Sequence, residues 1–160
     1  MNMPIPQNIQ DSSNPVVWTH AVHYVASAGL NGYEVLTKID EEDKIIRHLL
    51  LTTKGRNSGQ WKRTVLMFDY HEGNPFVLCS NGGKSDYPDW YKNIAKDGRV
   101  WVQIKDETFW ADCEIVNNSN YPELRNYLIA KMEGVYPRYR EFESMCPERE
   151  FPAIILRRVV

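Results

Sequence analysis

Cysteine is scarce in this chain of 160 residues: only Cys79, Cys113 and Cys146 occur. Their number is odd and no two are spaced C-x-x-C, which argues against a disulfide framework and a cysteine-rich zinc site. A reduced, cytoplasmic setting fits that usage. Long apolar runs are missing as well. No stretch nears the ~18 consecutive apolar residues of a membrane span, and the opening MNMPIPQNIQDSSN lacks the basic region and apolar run of a secretory signal. There is no basic excess, with 19 Lys and Arg against 21 Asp and Glu and a net charge of −2. A dedicated nucleic-acid binder would carry one, so nucleic acid is not an expected partner and any anion site must come from a local cluster. The signatures GxxxxGK[ST], GxSxG and HExxH are absent. His20 and His23, three apart, make an incomplete metal pair, and His48 and His71 stand alone, so no metal is expected.

What is present is an ordinary globular composition, 42% hydrophobic and 25% charged, long enough for one core and one domain. Residues 1–13 are polar with two prolines and read as a mobile arm before a single domain over 14–160. Asn14-Pro15 is an N-cap followed by proline at the first helical position. Val17, Ala21, Tyr24, Val25 and Ala28 recur at helical spacing up to Gly29, which predicts a helix near 15–28. Strand texture follows at 33–38 and 44–53 around an acidic turn, then at 62–70, 75–80, 99–105, 108–116 and 153–159. The spacing places a tight turn at Asp106-Glu107. Helices are expected from Pro88 to Lys96, from Pro122 with an apolar face of Leu124, Tyr127, Leu128 and Met132, and over 136–146. The absence of βαβ alternation argues against a doubly wound sheet. An α+β fold, mainly β, follows, and this many short antiparallel strands favour closure into a barrel.

Two loops carry the chemistry. In the first, Lys54, Arg56, Lys62 and Arg63 fall within ten residues of one another, interleaved with Gly55, Ser58 and Gly59. Glycines let backbone amides approach an anion, and lysine and arginine supply its countercharge. The segment fits a phosphate or carboxylate clamp, and it equally fits a hairpin tip with solvated cations. In the second, Ser80-Asn81-Gly82-Gly83-Lys84 feeds the helix at Pro88, another natural anion site or a plain connection. Trp90 and Ile94 read as core, with Tyr91 and Asn93 free to face the loop. Tyr136, Tyr139 and Phe142, spaced by three, make either a wall for a flat substrate with phenols to donate protons or a helix face packed on the sheet.

The segments Leu49–Gln60 (LLLTTKGRNSGQ), Cys79–Gly83 (CSNGG), Pro88–Ile94 (PDWYKNI), Tyr136–Phe142 (YPRYREF) and Phe151–Leu156 (FPAIIL) together resemble, in order and spacing, the deazaflavin (coenzyme F420)-dependent nitroreductase family. The resemblance implies a split antiparallel β-barrel of the FMN-binding type with added helices. It implies coenzyme F420 as cofactor, with FMN as the alternative, and hydride transfer to a small electrophilic acceptor such as a nitro-aromatic, an enone or a quinone. A binding module without turnover is the remaining alternative. By position, Lys54, Gly55, Arg56, Ser58, Gly59, Lys62, Arg63 and Thr64 would serve the cofactor's anionic tail. Ser80, Asn81, Gly82, Gly83 and Lys84 would lie along its ring or ribityl chain, supported by Trp90, Tyr91 and Asn93, and Tyr136 and Tyr139 would face the substrate as catalytic residues. Asn81 stands where this family often has Lys, Tyr87 where it has His, and Phe142 in place of a third tyrosine; Lys84 is the candidate to restore the charge missing at Asn81. Split barrels often pair through their sheets, which makes a homodimer an expected assembly. The first helix offers at most a weak peripheral membrane contact, since its polar face has no Lys or Arg.

Overall fold

The computed structural model describes residues 4–160. In chain order these form β1 (Gln10–Asp11), α1 (Pro15–Ala26), β2 (Glu34–Ile39), β3 (Glu42–Lys54), β4 (Trp61–Met67), β5 (Asp69–His71), β6 (Asn74–Leu78), a 3-10 turn (Asn81–Gly83), α2 (Asp89–Lys96), β7 (Arg99–Ile104), β8 (Glu107–Val116), α3 (Pro122–Glu133), α4 (Tyr139–Met145) and β9 (Ala153–Arg158). The N-terminal helix begins as its sequence dictates: Asn14 Oδ1 accepts from Val16 N–H at 3.0 Å and Pro15 opens the first turn. It is closed by Gly29 at φ +82°, where a Cβ would lie 2.3 Å from the Cα of Lys105. Only glycine permits both that backbone and that approach.

The strands lie in the order β1-β4-β3-β7-β8-β9-β6-β5, with β2 paired to the first half of β3. β4 and β5 therefore stand near opposite ends of the sheet, yet a single residue, the fully buried Phe68, separates them in the chain. The sheet must curl back on itself, and Phe68 marks its seam. Among the described residues no ladder joins β5 to β4, so the closure expected from the strand count is not completed by hydrogen bonds. The result is a mixed α+β fold, mainly sheet, in which the expected strand 62–70 is divided at its buried phenylalanine.

Side-chain alternation fills the curl. Leu49 and Leu51 of β3, Val100 and Val102 of β7, Phe109 and Ala111 of β8, and Ile154 and Leu156 of β9 point inward together with Phe68, Val77 and Ile94, as a period of two requires. The intervening residues serve the outer face. Phe76, Leu78 and Ile155 pack on Leu128, Ile129 and Met132 of α3 and on Tyr139 of α4, while Leu50 packs on Ala21 and Tyr24 of α1. The buried side of α3 departs from its expected apolar stripe, because Tyr127 is exposed and Arg125 is buried. Arg125 achieves this by donating to Phe151 O at 3.2 Å and to Glu143 Oε2 at 2.8 Å. The β7–β8 turn sits one residue earlier than expected, at Lys105-Asp106, with Lys105 left-handed and Ile104 opposite Glu107. Part of the arm is docked: β1 runs parallel to β4, Gln10 beside Lys62 and Asp11 beside Arg63.

Beneath α1, burial first and neighbouring His20 second push His48 down to about 4. Its imidazole is neutral in the fold, with Nδ1 3.0 Å from Ile46 O. The unfolded chain takes up this proton near the ordinary histidine value of about 6.5, before the fold does. Stability is therefore whole above that value and falls as pH drops from about 6.5 towards 4. Replacing His48 with Gln is expected to flatten the acid side of the stability profile across that window, as urea unfolding at stepped pH will read.

No helix is long and apolar enough to cross a membrane among the described residues, nor do three or more His, Cys, Asp or Glu gather there as a metal site.

Candidate active site

The first loop is closed by its own backbone. Gly55 N–H donates to Gln60 O at 2.8 Å and Gly59 N–H to Gly55 O at 2.9 Å, while Ser58 Oγ accepts from Gln60 N–H at 3.1 Å. A Cβ on Gly55 would meet Ser58 Oγ at 2.8 Å and Gln60 O at 2.9 Å, so the loop has no room for one. It is bolted to α2 through Asn93, whose Oδ1 accepts from Arg56 N–H at 3.1 Å and from Arg56 Nη1 at 3.0 Å. Asn93 Nδ2 donates to Thr53 Oγ1 at 3.1 Å, and Arg56 Nη2 also reaches Asp89 at 3.2 Å. Arg56 is thereby spent on holding the loop. Lys54 is exposed and, with Gly55, Arg56, Ser58 and Gly59, lies outside the lining of the cleft that follows.

That cleft, about 940 Å³, runs along β4 between the arm and the second loop. Lys62, Arg63, Thr64, Ser80, Asn81, Gly82, Lys84, Trp90, Asn93 and Tyr139 line it, so β4 and the second loop meet there while the tip of the first loop does not. The second loop turns in an unusual backbone. Ser80 is right-handed, and Asn81, Gly82 and Gly83 follow at φ 48°, 63° and 80°. A right-handed residue followed by a left-handed one turns successive N–H groups to one side, which makes an anion-binding nest. Gly83 N–H and Lys84 N–H are used at 3.0 and 3.2 Å on Ser80 O and Asn81 O. The N–H groups of Asn81 and Gly82 have no acceptor among the described residues. Asparagine tolerates the left-handed region better than lysine, and Asn81 Nδ2 closes the loop on Asp86 O at 2.8 Å. The charge absent at Asn81 is present nearby in Lys84, which lines the cleft.

Gly83 is buried against α4, where a Cβ would stand 3.0 Å from Phe142 O. Beneath the loop lies Arg149, 6% exposed. Its guanidinium donates to Cys79 O at 2.8 Å, Ser80 O at 2.7 Å and Lys84 O at 2.9 Å. It is sandwiched between the rings of Tyr87 at 4.7 Å and Phe151 at 4.5 Å, and Tyr87 stacks in turn on Tyr91 at 4.7 Å. Tyr91 thus supports the loop from behind without lining the cleft. Arg149 was missed in the sequence because it lies in an irregular segment with no spacing to mark it.

The free cations of the cleft are Lys62, Lys84 and Lys92, which have no ion pair or side-chain hydrogen bond among the described residues. Lys92 was not among the expected residues; α2 carries it into the lining of the same cleft. Arg63 is occupied by Asp11, which accepts from both Nε and Nη2. Tyr139 lines the cleft and is 5% exposed, with burial raising its phenol well above the ordinary tyrosine range. Its hydroxyl has no hydrogen-bond partner among the described residues, and the residue forms part of the cleft wall. Tyr136 is placed elsewhere: it packs edge-on to Tyr139 at 5.7 Å and against Phe142 at 6.0 Å, outside the cleft lining. Burial pushes the thiols of Cys79 and Cys113 up to about 12, so neither is a thiolate near neutrality.

The donor set suits an extended anionic ligand with a flat end: a nest, three unpaired ammonium groups, a tryptophan edge and one open phenol. Among solved structures, the chain is similar to one described as an F420-H2 dependent reductase (FDR-A), at 26% identity and TM-score 0.60, over 68% of this chain and 92% of that one. It is similar in fold to a domain-swapped dimer at 24% identity and TM-score 0.62, over 86% and 95% of the two chains. It also shares the fold of the haem storage protein HutZ from Vibrio cholerae, at 20% identity and TM-score 0.54, over 71% and 82%. The sequence profile of the F420H(2)-dependent quinone reductases matches residues 19–157, and the chain belongs to that family of F420-dependent oxidoreductases.

Proposed function

We propose that this protein reduces a quinone-type acceptor with reduced coenzyme F420, and that the curled sheet, open at Phe68, is a split barrel. The observation that carries this reading is the convergence on one cleft of an unfilled backbone nest, three unpaired lysines and an unpartnered phenol. The cofactor, when bound, supplies the hydride; the remaining work belongs to the chain. Lys62, Lys84 and Lys92 neutralise the anionic tail. The N–H groups of Asn81 and Gly82 take a ring carbonyl or a phosphate oxygen. Trp90 and Leu66 exclude water from the flat end of the ligand. Tyr139 O–H, held protonated by its burial, donates to the acceptor oxygen that gains charge.

The testing experiment is a titration of the purified protein with coenzyme F420, and with FMN in parallel, read by quenching of tryptophan fluorescence. Saturable micromolar binding of the deazaflavin, followed by turnover of a soluble benzoquinone or naphthoquinone, is expected. Binding without turnover of any acceptor would mark a carrier rather than a reductase, and a preference for FMN would move the cofactor assignment. Converting Lys62, Lys84 and Lys92 together to Gln is expected to cost roughly 2 kcal/mol, about thirtyfold in affinity, at exposed-pair magnitudes. The loss should shrink as salt is raised. Lys54→Gln, which alters a residue outside the cleft lining, is expected to leave affinity within about twofold.

A further inference from the structure

The arm places the Asp11 carboxylate on the one arginine of a cleft that also holds Lys62, Lys84, Lys92, Asp86 and Asp89. Asp11 and Arg63 are each about 15% exposed, at 15% and 16% by side chain. Asp11 Oδ1 and Oδ2 take Nε and Nη2 of Arg63, the latter at 3.1 Å. This is the fork with which an arginine grips a carboxylate or a phosphate. Both residues line the same cleft as Lys62 and the nest. The segment that carries Asp11 is weakly held. Its ladder to β4 spans two residues, and Gln60 Nε2 adds one bond at 3.3 Å to Asn8 O. A two-residue ladder contributes few backbone bonds of its own, so this strand leans on the Asp11–Arg63 pair.

We propose that Asp11 is an internal competitor for Arg63: it fills the guanidinium until an anionic group of the ligand takes its place and releases the arm from β4. This rests on the cofactor reading above. Asp11 is thereby a residue that sets both affinity and selectivity, because each anionic ligand must displace it and an uncharged one need not. An anion entering beside an intact pair meets the Asp11 carboxylate at short range, while an anion that displaces it inherits two charge-assisted bonds already arranged. The cleft accordingly binds anions less tightly than its arginine and lysines would allow, in exchange for an arm whose position reports occupancy.

The experiment compares wild type, Asp11→Asn and Arg63→Ala in fluorescence titrations with coenzyme F420 and with its uncharged chromophore lacking the phosphate and tail. Hydrogen exchange of the peptide spanning residues 8–14 is followed in parallel. Asp11→Asn is expected to bind the anionic cofactor roughly tenfold more tightly, as for one charge-assisted contact released, and the uncharged chromophore unchanged. Exchange over 8–14 is expected to rise when wild type is saturated. Equal or weaker binding by Asp11→Asn, or exchange that falls on saturation, overturns the proposal and makes the pair a clamp that holds the arm over the ligand. If wild type binds no deazaflavin, the cofactor reading fails, and inorganic tripolyphosphate then decides the competition alone. Raised exchange at 8–14 in wild type, absent in Arg63→Ala, sustains it; unchanged exchange in wild type overturns it.

Discussion

Replacing Arg149 with alanine is expected to lower the unfolding free energy by about 3 kcal/mol and to abolish tight cofactor binding. The guanidinium satisfies the carbonyls of Cys79, Ser80 and Lys84 at 2.7–2.9 Å from a site only 6% exposed. Removing it leaves the carbonyls of Cys79 and Lys84 without that donor in a pocket walled by two rings, at about 1–3 kcal/mol for each one that water cannot reach, while Ser80 O keeps only Gly83 N–H. For a domain of this size the melting temperature should fall by roughly 6–12 °C. The second effect is local. Those carbonyls fix the peptide planes on either side of the Ser80–Asn81 step, so the nest loses its shape. Arg149→Lys tests the distinction between charge and shape. An ammonium keeps the charge but cannot span three acceptors with a planar fork. It should recover part of the melting temperature and little of the affinity. Thermal denaturation and the cofactor titration, run on the same samples, separate the two.

Tyr139→Phe is expected to leave the fold and the cofactor affinity intact while lowering kcat about 100-fold, the scale of a lost proton donor. The ring is what packs on α3 and on Phe142, and phenylalanine retains it. The hydroxyl contributes no hydrogen bond to the protein, so its removal orphans nothing. Tyr136→Phe is the paired control. Its ring lies outside the cleft lining, and turnover should be unaffected. Because burial lifts the Tyr139 phenol above its usual range, the alkaline limb of the kcat profile in wild type should lie above the ordinary tyrosine value of about 10. Steady-state kinetics across pH on the two variants checks both statements. Equal losses in Tyr136→Phe and Tyr139→Phe, both of which keep their rings, would overturn the assignment of the proton donor to the Tyr139 hydroxyl alone.

The elements of this fold were legible where local chemistry decides them. Pro15 takes the first helical position of α1 and Pro88 the N-cap of α2, where proline's fixed φ and missing N–H are tolerated, and the strand segments follow from alternation. The turn at Lys105-Asp106 was misplaced because aspartate at 106 carries the stronger turn preference, whereas the register of β7 on β8 is set by which face is buried. The stripe on α3 was misjudged because an arginine can be buried when a distant carbonyl and a glutamate receive it. The same limit governs the site. Composition identifies two loops rich in glycine and cations, but it does not say which cations are free. Arg56 is claimed by Asp89 and Asn93, more than thirty residues away, and Arg63 by Asp11, more than fifty away. Lys84 and Lys92 stay available because neither Asp86 nor Asp89, which share the cleft, is folded into an ion pair with them. Arg149 acts on a loop sixty-five to seventy residues upstream, a relation that no window along the chain contains.

That separation has a consequence for how the protein is made. A chain emerging from the ribosome presents the nest-forming segment about seventy residues before Arg149, and β6 before β9, its hydrogen-bonded neighbour. Until residues 149–158 have emerged, β6 has an open edge on that side, and the second loop has glycines but no anchor. The cleft is therefore acquired only after residues 149–158 have followed β1–β8, and a nascent chain stalled before residue 149 would lack both the anchor of the loop and the Ala153–Leu156 part of the core.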